Sequence, residues 1–270
     1  MSWEISKSTT LCISLSARPS NVGTRFHNYL YRALDLDFVY KAFAPADIEQ
    51  AVLGIRGLGI RGAAISMPFK ETVIPLIDEL DQTAGIIQSV NTIVNTDGIL
   101  RGYNTDFAAV KSLIISNDIS HDNSVVVIGS GGMAKAVVAA VSDCGIKKCK
   151  VFSRNADAGV ALAKQYGFEW IGVEENADVI INATPVGMTG GVEEKLMPVS
   201  KSIVEQATVV FDVVAVPVIT PLIELAKSLG KRTISGSEVM TLQAVEQFAL
   251  YTGITPDQEL IKKAAEYSRS

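Results

Sequence analysis

The sequence predicts an α/β protein with mostly parallel sheets, and three observations predict it. Apolar runs of strand length alternate with longer amphipathic stretches. One of these runs is β-branched and opens directly into a glycine-rich turn and a helix. The last stretch, residues 237–270, reads as two helices with no further strand, a tail placed to pack back on the first domain.

In chain order, the strand candidates are 11–15, 38–42, 63–67, 125–128, 150–152, 179–181 and 209–213. Helical patterning covers 46–55, 106–115, 133–144, 156–166 and 221–229. One hairpin interrupts the alternation. SVNTIVN and ILRGY flank Thr96-Asp97-Gly98, and Asp-Gly is a strong signal for a tight two-strand turn. A polar stretch at 116–124, SNDISHDNS, then separates two α/β halves, with the crossover at that stretch or a little before it.

Composition bounds the function. The 270 residues suffice for two domains, and 48% of them are hydrophobic, ample for sizeable cores. The net charge of -5 and the lack of any Lys/Arg-rich run argue against a nucleic-acid partner. No apolar run is long enough to span a membrane, and no secretory signal opens the chain. Cys12, Cys144 and Cys149 lie in or beside apolar segments, which fits reduced, packed thiols in a cytoplasmic protein. His27 and His121 are too few and too scattered for a structural zinc site, and no metal is expected.

The second half opens with SVVVIGSGGMAKAVVAA. Gly129-Ser130-Gly131-Gly132-Met133-Ala134 is G-x-G-x-x-A between a strand and a helix, the context a dinucleotide site requires. The glycines permit a tight turn and close approach to a pyrophosphate, and the helix N-terminus offers unpaired N–H groups and a positive dipole end. Such turns also simply join strands to helices. The next strand ends in Ser153-Arg154-Asn155, where NAD-binding versions carry an acidic residue for the ribose hydroxyls. An arginine there suits a 2′-phosphate, so NADP is expected over NAD, the other reading being a solvated surface arginine.

An enzyme that oxidises an alcohol with a nicotinamide needs a group to take the hydroxyl proton. Without a persuasive histidine, the options are Lys, Asp, Glu or Tyr. Lys70, in Ser66-Met67-Pro68-Phe69-Lys70-Glu71, follows a strand, and Asp106, in Asn104-Thr105-Asp106, opens a helix. α/β proteins place ligands at such points. Taken alone, Asp106 is equally a helix N-cap and Lys70 a solvated lysine after a proline turn.

Six motifs of the chain stand together: Met67-Pro68-Phe69-Lys70, Val90-Asn91-Thr92, Asn104-Thr105-Asp106, Gly129-Ser130-Gly131-Gly132-Met133, Asn182-Ala183-Thr184-Pro185-Val186-Gly187-Met188, and Gly236-Ser237-Glu238-Val239-Met240-Thr241-Leu242-Gln243. In their order and approximate spacing, across nearly its whole length, the chain resembles the shikimate dehydrogenase family. The resemblance implies an α/β substrate-binding catalytic domain from residues 1–105 and 238–270, with the C-terminal helices returning to it. It implies a Rossmann-type NADP-binding domain from 106–237. It makes Lys70 and Asp106 the proton-transfer pair, with Ser14, Ser16, Ser66, Asn91 and Gln243 binding substrate. The cofactor would be held by Gly129, Ser130, Gly131, Gly132, Met133, Ala134, Arg154, Asn155, Thr184, Val213 and Gly236.

Most of the departures from the family pattern lie in the substrate wall. The N-terminal S-x-S-P-x-x-H-N is lengthened to SLSARPSNVGTRFHN, which adds Arg18 as a candidate anion contact or a solvated loop residue. Ala64 replaces the usual asparagine and Ala215 the usual tyrosine. Each lost hydrogen bond costs about 0.5–1.5 kcal/mol. Ala158 stands about where a second basic residue often follows the arginine, which softens the NADP preference. The pattern is closest to the divergent shikimate dehydrogenase-like subgroup. It implies an NADP-dependent oxidoreductase that reversibly converts shikimate to 3-dehydroshikimate, or oxidises a related cyclic hydroxy acid, as a monomer or homodimer. The alternatives are a quinate or aminoshikimate dehydrogenase and a non-catalytic NADP-binding sensor. Retention of both Lys70 and Asp106 argues against the sensor.

Overall fold

A computed structural model describes residues 4–270. The described residues divide into two compact units, one of residues 4–105 with 241–270, the other of residues 106–240.

The first unit begins with β1 (Thr10–Leu15), α1 (Asn21–Ala33), β2 (Phe38–Phe43), α2 (Ile48–Gly57) and β3 (Gly62–Ile65). β4 (Glu79–Leu80), α3 (Gln82–Ile87), β5 (Thr92–Thr96) and β6 (Ile99–Tyr103) follow. Its sheet has the order β2-β1-β3-β5-β6-β4. β1 pairs in parallel with β2 and β3, and β5 is antiparallel to β3 and β6. The β5–β6 hairpin turns on Asp97 and Gly98, both at positive φ (52° and 88°). A two-residue turn of that hand matches the twist of the strands it joins. Asn95 fixes it by accepting the Gly98 N–H at 2.9 Å.

Alternation along β1 divides the core of this unit. Ile13 and Leu15 pack with Val52, Ile55 and Ile65. Cys12 faces the other way, into an aromatic cluster of Phe26, Tyr31, Tyr40, Phe248 and Tyr251. Phe248 and Tyr251 come from the tail, so the C-terminal helices complete this core. Gly62 is required here, because a Cβ would lie 2.2 Å from the Tyr251 ring.

The second unit contains α4 (Thr105–Ser116), whose first residue belongs to the first unit, then β7 (Val125–Ile128), α5 (Gly132–Asp143), β8 (Cys149–Phe152), α6 (Ala156–Gln165) and β9 (Glu169–Ile171). β10 (Val179–Asn182), α7 (Lys201–Gln206), β11 (Val209–Asp212), α8 (Pro221–Ser228) and β12 (Arg232–Ser235) complete its sheet. α9 (Gly236–Thr252) carries the chain into the first unit, where α10 (Gln258–Arg269) ends it. The second sheet is wholly parallel, in the order β12-β11-β10-β7-β8-β9. Its first strand therefore lies between β10 and β8, where the winding reverses, and open parallel sheets bind ligands beyond the strand ends at such a point. The central strands VVVI, VIIN and VVFD are buried at every position, as a sheet covered on both faces requires.

Three differences from the sequence reading have physical causes. The lengthened segment after β1 is mostly helix α1, with Ser20 as its N-cap. β9 and β12 are short strands at the sheet edges with exposed polar positions, so they lack a clear apolar run. β3 ends at Ile65, since Met67, Pro68, Phe69 and Lys70 turn away, and proline has no N–H to extend a ladder.

Candidate active site

In the first unit the predicted substrate residues gather at neighbouring strand ends. Ser14 sits on β1 opposite Ala64 of β3. Ser66 donates its N–H to the Leu15 carbonyl at 2.9 Å, which sets it beside the end of β1 and Ser16. Ser16 is held by its own N–H on the Phe43 carbonyl (3.1 Å), and its Oγ accepts the Arg18 N–H (3.1 Å). The next residue, Ala17, donates to the Met67 carbonyl (3.2 Å), so this loop is tied to the turn that carries Lys70.

That turn is closed by Phe69 N–H on the Ser66 carbonyl (2.9 Å) and Val73 N–H on the Phe69 carbonyl (3.1 Å). Lys70 is half-buried, and its carbonyl accepts the Val90 N–H at 2.8 Å. The adjacent Asn91 reaches in another direction. It is 2% exposed, its Oδ1 accepts the Thr105 N–H (2.8 Å) and the Thr92 hydroxyl (2.9 Å), and its Nδ2 donates to Thr105 Oγ1 (2.9 Å). Two consecutive residues thus bind the Lys70 turn and the start of α4. Asp106 follows Thr105 directly and is 6% exposed in the first turn of that helix, where the helix dipole favours a carboxylate.

Asn91 therefore works mainly inside the protein. Its Oδ1 is used, which leaves one amide hydrogen for a ligand. Gln243 joins the same network, its Oε1 lying 3.4 Å from Thr105 Oγ1. One helical turn on, Gln247 donates to Thr92 Oγ1 (3.0 Å) and anchors α9 on β5.

The other family-like residues near the N-terminus are structural. Asn28 clamps Tyr40 through both backbone groups (2.8 and 2.9 Å), pinning α1 to β2. His27 is wholly buried, stacked on Tyr40 at 4.4 Å and 8°. Burial pushes its imidazole down to about 3. Such a group stays neutral and does not exchange protons with a substrate near pH 7. Cys12 and Cys149 are also buried, and burial pushes both thiols up to about 12, which makes them poor nucleophiles. Among the described residues no group of three or more His, Cys, Asp or Glu could hold a metal ion.

In the second unit the glycine-rich turn joins β7 to α5. Gly129 has φ +119°, and a Cβ there would lie 3.1 Å from the Ala183 carbonyl and 3.2 Å from the Thr184 methyl. Gly131 is the N-cap of α5, with no side-chain hydrogen bond, and a Cβ there would meet no protein atom within 4 Å. The helix start formed by Gly132, Met133 and Ala134 thus presents backbone N–H groups beside open space, and Ser130 lies half-buried in the same turn. This fits an anionic pyrophosphate. Ala134 is fully buried, which lets α5 pack closely on the sheet.

The loops after β10 and β11 are locked to each other. Asp212 is fully buried and accepts hydrogen bonds from Asn182 Nδ2 (2.9 Å), the Val214 N–H (3.0 Å) and the Thr220 hydroxyl (2.6 Å). Burial pushes its carboxyl up to about 6, against the pull of these three donors. Asn182 Oδ1 takes the Thr184 N–H (3.0 Å) and hydroxyl (2.6 Å), so the Thr184 hydroxyl is spent within its loop. Gly236 packs on the peptide after Val213, where a Cβ would lie 2.3 Å from the Val214 carbonyl. Asn182 and Asp212 frame the positions predicted to touch cofactor. The sequence displayed both inside their motifs but gave no sign that one bonds the other.

At the end of β8, Asn155 is the N-cap of α6 and accepts the Ala158 N–H at 3.1 Å. Arg154 is largely exposed, and its guanidinium forms a two-pronged ion pair with Glu193, at 2.8 and 3.3 Å. The sequence reading did not single out Glu193.

Comparison with known proteins gives a consistent picture. Residues 20–93 match the family model described as shikimate dehydrogenase substrate binding domain. Residues 113–234 match that described as shikimate / quinate 5-dehydrogenase. The chain is 53% identical over 268 residues to a shikimate dehydrogenase-like protein of Haemophilus influenzae, covering 98% of this chain and 99% of that one. A solved structure of a shikimate 5-dehydrogenase-like protein superposes with a TM-score of 0.91 at 52% identity, over 99% of this chain and 100% of that one. The Thermus thermophilus shikimate 5-dehydrogenase, solved in complex with NADP(H) and shikimate, superposes with a TM-score of 0.86 at 25% identity, over 96% of this chain and 99% of that one.

Proposed function

This chain belongs to the shikimate dehydrogenase family of oxidoreductases, and from that premise we propose that it reversibly oxidises a ring hydroxyl of shikimate or a related cyclic hydroxy acid, with NADP as the cofactor. The observation that carries this reading is the double attachment at Val90-Asn91, which fixes both the Lys70 turn and the start of α4, where Asp106 lies. An acid–base group is useful only if its backbone is held; the Lys70 carbonyl is held directly, and Asp106 follows the held Thr105 in the chain.

In this reading Lys70 takes the hydroxyl proton as the alcohol becomes a ketone and returns it in the reverse direction. Asp106 orients the lysine and the hydroxyl. Ser14 and Ser16 hold the substrate carboxylate, Ser66 and the remaining Asn91 amide hydrogen bind ring hydroxyls, and Gln243 closes the polar wall through Thr105. NADP, when bound, takes or supplies the hydride. Gly131 and the α5 N-terminus would hold its pyrophosphate, Arg154 its 2′-phosphate, and the loops of Thr184, Val213 and Gly236 its nicotinamide half.

Ala64 and Ala215, both half-buried, stand where the family pattern carries an asparagine and a tyrosine, so two hydrogen-bonding side chains of that pattern are missing. This favours a poor turnover of shikimate itself and a better one of an acid lacking the matching hydroxyl. The test is NADPH formation with shikimate, quinate and aminoshikimate, each with NADP and with NAD, for the wild type and Lys70→Met. We expect Lys70→Met to lower kcat by about 10²–10⁴ on whichever acid is turned over. Unchanged turnover in Lys70→Met would refute the role of the lysine. Cofactor binding with no turnover of any acid would favour a non-catalytic dinucleotide-binding protein.

A further inference from the structure

We propose that Glu193 sets how strongly this protein prefers a 2′-phosphorylated dinucleotide over its unphosphorylated counterpart, by occupying the guanidinium fork of Arg154. The inference rests on the reading of Arg154 as the 2′-phosphate contact.

The geometry supplies the competition. Glu193 Oε1 lies 2.8 Å from Arg154 Nη1 and Oε2 lies 3.3 Å from Nη2, so both prongs of the fork are engaged. A carboxylate and a phosphate present the same two-oxygen edge to a guanidinium, and both cannot hold the same edge together. The arginine side chain is 76% exposed and thus open to a ligand, whereas Glu193 is 25% exposed and held in its loop.

That loop is well fixed. Gly187 and Leu196 both donate their N–H to the Glu193 carbonyl (3.0 and 3.1 Å), Gly191 donates to the Met188 carbonyl (3.1 Å), and Thr189 donates to the Val216 carbonyl (2.9 Å). The carboxylate is therefore delivered to Arg154 by a bonded frame. The arginine's neighbours on α6 add no positive charge, since Asp157 is acidic and Ala158 neutral. Arg154 and Glu193 together are close to neutral. A 2′-phosphate must displace the carboxylate from that edge or turn to the remaining Nε side of the guanidinium, and in either case it lies near the carboxylate's negative charge. An unphosphorylated dinucleotide meets neither cost.

The experiment measures binding of NADP and of NAD to the whole protein by titration calorimetry, without turnover. The proteins are wild type, Glu193→Gln, Arg154→Ala and the double variant. Glu193→Gln keeps the side-chain shape and removes the charge. We expect it to tighten NADP about threefold to fivefold, the scale of an exposed ion pair, and to leave NAD unchanged. In the Arg154→Ala background the same substitution should bring no gain. An equal effect on both dinucleotides, no effect on either, or a gain that persists without Arg154 would each overturn the proposal. If Arg154→Ala leaves the NADP-to-NAD affinity ratio untouched, the assignment of Arg154 itself falls, and the proposal falls with it.

Discussion

His27 and Asp212 are both buried titratable groups, and their protons pull the fold in opposite directions. An ordinary imidazole takes its proton near pH 6.5, but His27 in the fold does so only near 3. The stabilisation that this difference represents is present above about pH 6.5 and is lost as pH falls towards 3, on the order of 5 kcal/mol in full. Asp212 moves from 3.8 to about 6. Its folded form holds a proton that the unfolded chain releases, so its contribution is present below about pH 4 and lost as pH rises through 6, on the order of 3 kcal/mol. Between pH 4 and 6 the two effects oppose each other. Urea unfolding of wild type, His27→Phe and Asp212→Asn at pH 7, 6, 5 and 4 separates them. His27→Phe should lose less stability on acidification than wild type, and Asp212→Asn should lose more. Parallel curves for all three proteins would show that neither group titrates as its burial dictates.

At the scale of the element, the ends of strands and the starts of helices carry the candidate site, and their legibility varied for physical reasons. The Asp97-Gly98 hairpin and the β7–α5 turn were readable because positive φ and close approach restrict the residue types allowed. Buried central strands were readable as apolar runs. The short edge strands and α1 were not, since α1 contains Gly23 and polar residues between its buried Phe26, His27, Leu30 and Tyr31. Least readable were the side-chain bonds between loops distant in sequence, such as Asn182 with Asp212 and Arg154 with Glu193, because their residue types are common and their spacing is set by the fold. Two glycines in the second unit give a matched test. Gly236→Ala drives a methyl into the Val213–Val214 backbone and should cost about 1–3 kcal/mol or more, weakening NADP binding through a displaced loop. Gly131→Ala meets no protein atom within 4 Å. It should cost about 0.5–1 kcal/mol, since alanine is a poorer N-cap than glycine, yet weaken NADP without displacing the turn, because its methyl fills the space read as the pyrophosphate's. Calorimetric affinities set beside unfolding curves for both variants distinguish a damaged scaffold from an obstructed site. Undiminished NADP binding in stable Gly131→Ala would remove the pyrophosphate from that turn.

At the scale of the molecule, the chain builds one unit from both of its ends and the other from its middle. The first unit consequently depends on contacts between residues more than 200 positions apart. Phe248, from the tail, is fully buried, its ring 5.3 Å from Tyr31 and 6.2 Å from His27. The second unit has its own core, with Val126, Ile180, Val210 and Leu222 buried together. Phe248→Ala should therefore act on one unit. Truncating a buried phenylalanine costs about 3–5 kcal/mol, a large share of a typical domain's ~5–15 kcal/mol. Hydrogen exchange in the variant should accelerate at β1, β2 and β3 and stay near wild-type rates at β7, β10 and β11. NADP at about 100 times its Kd should protect the second group by up to ~2.7 kcal/mol and leave the first group exchanging as fast as before. If Phe248→Ala instead accelerated both sheets equally, the chain would open as a single cooperative block, and the separation into two cores would not extend to its energetics.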